Sequence, residues 1–270
     1  MLIAQISDTH LAAPGKRTFG VAPMAEYLAR CVAHINRLDP APDLVIHTGD
    51  VTNNGRRDEA DLAAEILAGL RAPLAVVPGN HDDRSALAAA FGPQACPQDE
   101  HGFIQHDMAL PGLRLLGVDT VAPGAPGGAI DAARAAWLDS RLRQQPETPT
   151  VLFMHHPPAR FGVIETDLDG FDGLHLLAEV VAAHPQIARI WAGHIHLASL
   201  TEWQGVVVST APSTGMRLYL DLTLRRSAYI LDEPAYHLHY WHPEQGLVTH
   251  TVRVLAEEPL HPFAPEHLID

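Results

Sequence analysis

The stretch Leu44-Val45-Ile46-His47-Thr48-Gly49-Asp50 decides how the chain is read. Leu44, Val45 and Ile46 make a short apolar, β-branched run of the kind that forms a buried strand. Gly49 lets the backbone turn sharply, and Asp50 then stands at the strand's carboxyl end, where open α/β sheets collect their ligands. Alone, an aspartate after a strand is far more often a turn residue than a functional one. Its weight comes from the polar residues at other strand exits.

Upstream, Leu2–Ile6 reads as an apolar strand ending in Ser7-Asp8-Thr9-His10. A helix follows from about Pro23, with Met24, Leu28, Cys31, Val32, Ile35 and Leu38 on one face, and Pro40 and Pro42 stop it. Downstream of Asp50, the polar loop Thr52-Asn53-Asn54-Gly55-Arg56 leads into a helix carrying Leu62, Ile66, Leu67 and Leu70. Strand Leu74–Val77 then ends in Pro78-Gly79-Asn80-His81-Asp82-Asp83. Three βα units thus place polar residues at a strand exit.

Phe103–Ala109 and Leu113–Val118 read as paired strands joined by Pro111-Gly112. A breaker-rich segment spans Pro123 to Gly128, and a helix follows with Ala133, Ala136, Trp137 and Leu138 inward. Strand Thr150–Met154 ends in His155-His156-Pro157-Pro158. Leu174, Leu177, Val180 and Val181 mark a helix, and strand Ile187–Ala192 ends in Gly193-His194-Ile195-His196. Leu200–Trp203, Val206–Ser209, Ala228–Leu231, Tyr236–Trp241 and Val248–Val254 read as antiparallel strands and hairpins. From Pro259 the tail is expected to run as an extended arm along the surface or a partner.

Composition bounds the reading. A length of 270 residues suits one domain, or one domain with an appendage, and 47% hydrophobic residues is ordinary for a globular protein. The amino terminus enters a strand with no signal-peptide pattern, and no apolar run reaches membrane-spanning length, so a cytoplasmic protein without membrane contact is expected. Cys31 and Cys96 are too few for a disulfide framework and lack metal-finger spacing. A formal charge of −14 repels polyanions and argues against a nucleic-acid polymer as partner. A small phosphate ester stays compatible, because metal ions invert the local field.

The exits of five strands offer Asp8 and His10, Asp50, Asn80 and His81, His155, and His194 and His196. In an extended segment, residues i and i+2 point to one side, so Asp8 with His10 can share an ion, and His194 with His196 can lean toward two neighbouring ions. Oxygen and imidazole donors without cysteine suit Mn, Fe, Zn or Co better than Mg or Ca.

In this order, Asp8-x-His10, Gly49-Asp50, Gly79-Asn80-His81-Asp82, His155 and Gly193-His194-x-His196 resemble the calcineurin-like metallophosphoesterases. The resemblance spans residues 1 to about 215. It implies an α/β fold, a four-layer αββα sandwich, with residues 216–270 adding antiparallel hairpins and a tail packed on the same domain. It also implies two divalent ions at the carboxyl ends of the central strands. Carried over by position, Asp8, His10, Asp50 and His196 hold one ion, and Asp50, Asn80, His155 and His194 hold the other. Asp50 then bridges the two. His81 binds no metal in the family and lies beside the phosphate, while His156 would support its neighbours. Catalysis is expected of His81 and Asp50, and substrate contact of Asn53, Asn80, His81 and His196.

Two divalent ions bring +4 and the two aspartates return −2, giving a cationic pocket in an acidic protein. Ions about 3.5–4 Å apart can hold a water or hydroxide between them, lower its pKa and send it in line at phosphorus. His81 can then stabilise or protonate the leaving alkoxide, with Asp82 or Asp83 either orienting it or capping a helix. Asn53, Met154-His155-His156-Pro157-Pro158 and Ala211-Pro212-Ser213-Thr214 resemble the cyclic-nucleotide phosphodiesterases and the bacterial glycerophosphodiesterases. Some of the latter carry a histidine about where Met216 stands. The expectation is therefore a phosphodiesterase for small diesters, 3′,5′-cyclic nucleotides first, with glycerophosphodiesters or a broad range of phosphate esters as the alternative. A metal-holding scaffold without turnover would show a broken ligand set, which this chain does not. Arg160, Asp167 and Asp169 fall in a loop that either overhangs the pocket or is merely solvated, and the hairpins and tail leave a homodimer or larger homo-oligomer open.

Overall fold

Alternation along the strands sorts their side chains into separate layers. In the computed structural model, which describes residues 1–259 and 261, the first half of the chain runs β1 (Leu2–Ile6), α1 (Met24–Ile35), β2 (Leu44–His47), α2 (Arg57–Leu67), β3 (Leu74–Val76) and α3 (Arg84–Ala95). Then come β4 (His106–Leu110), β5 (Leu113–Val118), β6 (Gly128–Ala129), α4 (Ala132–Gln144), β7 (Thr150–Met154), α5 (Ile164–Asp167), β8 (Phe171–Asp172), α6 (Leu174–Ala183) and β9 (Ile187–Ala192). The remaining strands are β10 (Ser199–Trp203), β11 (Val206–Thr210), β12 (Met216–Leu218), β13 (Tyr229–Leu231), β14 (Ala235–His242) and β15 (Gly246–Arg253). Apart from Pro259 and His261, the tail expected to form an arm lies outside the described residues.

One sheet has the order β15-β14-β1-β2-β3 and the other β10-β11-β9-β7-β5-β4. In β1, Ala4 and Ile6 face the core shared with α1, α2 and α3, while Ile3 faces the opposite sheet. In β7, Leu152 and Met154 face the α4 and α6 side, while Val151 and Phe153 join Ile3, Ile46, Ala75 and Trp191 between the sheets. The layers are therefore helix, sheet, sheet and helix, the αββα sandwich expected. Helix α1 belongs there because Met24, Leu28, Cys31, Val32 and Ile35 recur at helical spacing and are all buried. Helix α2 starts where Glu59 turns back onto the backbone of Asn54 and Arg56, and α3 starts where Asp83 accepts from the N–H of Ala86.

The five strands that supply site residues, β1, β2, β3, β7 and β9, pair in parallel within their sheets, so their carboxyl ends lie together at one edge of the sandwich. The contact between the sheets at this edge is polar. Gln5 donates to the hydroxyl of Thr48 at 3.0 Å and to the carbonyl of Ala192 at 2.9 Å, and its carbonyl faces Nε2 of His239 at 3.0 Å. One buried amide thereby ties β1, β2, β9 and β14 together just behind the site. Cys31 and Cys96 are both buried free thiols in the first core.

Candidate metal centre

Parallel pairing continues past the ends of β1 and β2. Asp8 N–H donates to the Gly49 carbonyl at 3.0 Å, and His10 N–H donates to the Asp50 carbonyl at 2.9 Å. The side chains then gather through left-handed backbone, with φ of 54° at Asp8, 42° at His10, 52° at Asp50, 73° at His194 and 56° at His196. Spacing i, i+2 was expected to work through an extended segment; instead each member of the two pairs turns individually. Non-glycine residues hold this conformation at a cost, and here they coincide with the candidate ligands. Two glycines make room. A Cβ on Gly79 would overlap Oδ1 of Asp50, and one on Gly193 would overlap the hydroxyl of Ser7.

The ligating atoms of Asp8, His10, Asp50 and His196 lie within 4.8 Å of one another, all but His196 fully buried. Nε2 of His10 is 3.0 Å from Nε2 of His196 and 3.4 Å from Oδ2 of Asp50, while Nε2 of His196 is 3.5 Å from Oδ1 of Asp8. On the other side, Nε2 of His155 lies 3.4 Å from Oδ2 of Asp50, 3.2 Å from Oδ1 of Asn80 and 3.3 Å from Nδ1 of His194. The same oxygen of Asp50 therefore touches both groups.

Backbone carbonyls fix which ring nitrogen each histidine presents. His155 gives its Nδ1–H to the Thr48 carbonyl at 2.7 Å, and His196 gives its own to Met216 at 2.5 Å, so both offer the lone pair of Nε2. His194 is reversed: Nε2–H donates to the Glu165 carbonyl at 3.0 Å and Nδ1 faces the site. These lone pairs converge on one another and on carboxylate oxygens, an arrangement that suits a shared cation.

The electrostatics agree. Burial raises the pKa of Asp8 against the pull of His196 and His155. Burial would also raise Asp50, but His155 and His10 outweigh it and hold that carboxyl well below the usual range. For His155 burial works downward, yet Asp50 and Asp8 lift it to about 9. His194 falls to about 3 through burial and the neighbouring His155, and burial likewise keeps His10 neutral. His10 and His194 are thus neutral, the state in which imidazole binds a divalent ion, while the charged pair of Asp50 and His155 would give up the His155 proton on metal binding.

A family model for calcineurin-like phosphoesterases matches residues 1–198. The chain belongs to that family. Over its full length it is 34% identical to a protein of Arcobacter nitrofigilis named a probable glycerophosphodiester phosphodiesterase, all of which is covered. It is 32% identical, over 96% of this chain and 95% of the other, to a probable cyclic nucleotide phosphodiesterase of Rhodopseudomonas palustris. Among solved structures, a dimetal phosphatase from Danio rerio superposes with a TM-score of 0.63 at 16% identity, covering 94% of this chain and 99% of that one, a likeness of fold.

In this calcineurin-like phosphoesterase, His81 stands at the mouth of the two groups. Its N–H donates to Oδ1 of Asp50 at 2.8 Å, its Nδ1–H donates to the Asn53 carbonyl at 2.8 Å, and its ring meets that of His10 edge-on at 4.7 Å. Neither acid that follows it orients its ring. Asp82 instead accepts from the N–H groups of Gly79, Val51 and Thr52 and from the Thr52 hydroxyl, pinning one exit loop to another, and Asp83 caps α3. Asn53 contributes its carbonyl to His81, while its side-chain oxygen is buried without a partner. His156 packs beside His155 and His194, with Nδ1 at 2.9 Å from the Thr120 hydroxyl. Of the loop charges, Asp167 accepts from the N–H groups of Phe161 and Gly162, while Asp169, together with Glu165 of the same loop, lines the site cavity.

That cavity measures about 270 Å³ and contains His10, Asp50, Asn80, His81, His194 and His196. Its outer wall combines the apolar Phe19, Met216, Leu218 and Tyr229 with Glu165, Asp169 and Ser227, and the rings of Phe19 and Tyr229 stack at 5.4 Å. Among the described residues, no lysine or arginine lines it. Sequence reasoning did not find the Phe19 and Tyr229 wall or the carbonyl supports from Thr48, Glu165 and Met216. Backbone atoms carry no residue-type signal, and an aromatic in a loop has no periodicity to mark it.

Proposed function

We propose that the chain is a metal-dependent hydrolase of small phosphodiesters, and that 3′,5′-cyclic nucleotides are its first substrate class. The observation that carries the reading is Oδ2 of Asp50, 3.4 Å from both His10 and His155, which gives one carboxylate to two donor groups. Asp8, His10, Asp50 and His196 would hold one divalent ion and Asp50, Asn80, His155 and His194 a second, with Mn, Fe, Zn or Co matching the nitrogen and oxygen donors. Such ions acidify a water and neutralise charge on phosphoryl oxygens.

The protein's own groups do the rest. With Nδ1–H engaged by Asn53, His81 has Nε2 left for the substrate, and its imidazolium form can deliver that proton to the departing alkoxide. Asn80 keeps its side-chain amide at the cavity wall, within reach of a phosphoryl oxygen. With no lysine or arginine among the described residues that line the cavity, the ions are the main source of attraction for the phosphate, and Glu165 and Asp169 at the wall would oppose the second negative charge of a monoester more than the single charge of a diester. Phe19 and Tyr229 offer a face on which a nucleobase can stack.

The relative from Arcobacter nitrofigilis, matched from end to end, favours a second reading, a glycerophosphodiester substrate. Metal analysis followed by kcat/KM for cyclic AMP, glycerophosphocholine and bis(p-nitrophenyl) phosphate tests both. The cyclic-nucleotide reading expects cyclic AMP to lead glycerophosphocholine. The reverse order selects the second reading, and a metal-loaded protein inert toward all three overturns the hydrolase assignment.

A further inference from the structure

Where two sheets face each other, the layer between them is ordinarily apolar. Here it is apolar from β3 and β4 across to Trp191 and Trp241, and then changes character toward the open edge at β10 and β15. A second cavity of about 410 Å³ lies at that edge and shares no residue with the cavity at the metal centre. Its walls carry Arg189, Ser199, Ser209, His237 and Thr251, with Leu247 among the apolar members. In a chain of net charge −14, no carboxylate among the described residues lines it.

One wall residue is unsatisfied. His237 is 3% exposed, and its Nδ1 is buried with no hydrogen-bond partner among the described residues. Buried polar groups without partners are few in native proteins, and one that lines a cavity marks a place where a water, ion or ligand would complete the bonding. Arg189 makes a 2.7 Å bond to the adjacent carbonyl of Ala188, which leaves the rest of its donor fork for the cavity it lines. Guanidinium, hydroxyl and imidazole donors, with no acid among them, select an oxyanion.

We propose that this cavity is a second binding site for a small organic oxyanion, its carboxylate or phosphate group held by Arg189 with Ser199, Ser209 and Thr251, and its short apolar part against Leu247. His237 completes the polar wall. The ligand would sit between the sheets, clear of the metals.

Calorimetric titration of the metal-loaded protein with inorganic phosphate and, separately, with butyrate tests this. At least one of the two anions should bind to a site that weakens about ten-fold or more in Arg189→Gln, as loss of a charge-assisted bond implies, and about three- to ten-fold in His237→Leu, as loss of a neutral hydrogen bond implies. Turnover of bis(p-nitrophenyl) phosphate by the same variants should match the parent, which shows that fold and metal centre are intact. If a variant fails to fold, Ser199→Ala reads the same site from the edge strand. The stronger of the two anions assigns the head group. A site unchanged in Arg189→Gln, His237→Leu and Ser199→Ala, or no anion binding beyond that at the metals, overturns the proposal.

Discussion

The backbone N–H of His81 donates to Oδ1 of Asp50 at 2.8 Å. That bond assigns the two oxygens of one carboxylate to different tasks. Oδ1 fixes the loop that carries His81, and Oδ2 is left to face His10 and His155. The proposed proton donor and the proposed shared ligand are therefore positioned by a single contact, and disturbing either end should be felt at the other.

Replacement Asp50→Ala removes the one donor that both groups share. Both ions should be lost together, and elemental analysis of the purified variant should show well under one ion per chain. Full occupancy of the Asn80, His155 and His194 group in that variant would show that the carboxylate does not bridge.

His81→Ala leaves every proposed metal donor in place. Metal content should be retained while kcat falls by ~10²–10⁴ if the imidazole acts as general acid. The loss should be greatest for alkyl diesters and small for a p-nitrophenyl ester, whose leaving group departs without a proton. Equal losses on both substrates would reduce His81 to a binding role.

Gly79→Ala places a methyl group against Asp50, whose backbone and Oδ1 it would overlap. The fold should persist, since the displacement is confined to the exit loops. Metal affinity should fall by about 10–100-fold, the range seen when support behind a ligand is disturbed. Competition with a chelator, read by residual activity, measures it.

His106 predicts an acid limit to stability that is independent of the metals. Its Nε2–H bonds to the Val76 carbonyl at 2.8 Å and so joins β4 of one sheet to β3 of the other. Burial pushes its pKa down to about 4, only partly offset by that bond. The unfolded chain takes up this proton near pH 6.5 and the folded chain near 4, so the unfolded state holds more protons between those values. Stability should fall as pH drops from 6.5 to 4, by about 3 kcal/mol for this residue, and then level off. Denaturant unfolding of the metal-free protein across that window should show the slope, and His106→Gln should make it shallower by this residue's share. His237, also near 4 through burial, adds to the same slope.

Tyr229→Ala separates the two substrate readings. If a nucleobase stacks on the wall of Tyr229 and Phe19, KM for cyclic AMP should rise by about 5–150-fold, the equivalent of about 1–3 kcal/mol of stacking. KM for glycerophosphocholine should change little under that reading. Equal changes for both substrates would show that the wall shapes the cavity without recognising a base.

Much of the frame was legible because it obeys simple periodicities. Met24, Leu28, Cys31 and Ile35 announce α1, and Leu44 to Ile46 announce β2, since these elements bury one face or both. The candidate donors were legible because a strand exit exposes its next residues to one shared edge. What stayed hidden depends on turn geometry. Asp82 sits beside His81 in sequence and reads as its partner, yet the turn from Gly79 aims its carboxylate at backbone N–H groups. Helix α3 was masked by Gly92 and Pro93, where the backbone leaves helical geometry at φ 73°. Strand β12 was too short to show a period, and it reaches its partner β13 only across ten intervening residues.

Strand β14 lies between β15 and β1, so Asp8 grows out of a strand whose outer neighbour is made from Ala235–His242. During synthesis every proposed metal donor leaves the ribosome before that neighbour exists. Until it arrives, Leu2–Ile6 has an unpaired hydrogen-bonding edge, the kind of surface that recruits foreign strands. A nascent chain halted after His196 has emerged but before Ala235–His242 has would thus hold the full set of proposed donors on a sheet still open to aggregation. Its survival would depend on how quickly the last hairpin is delivered.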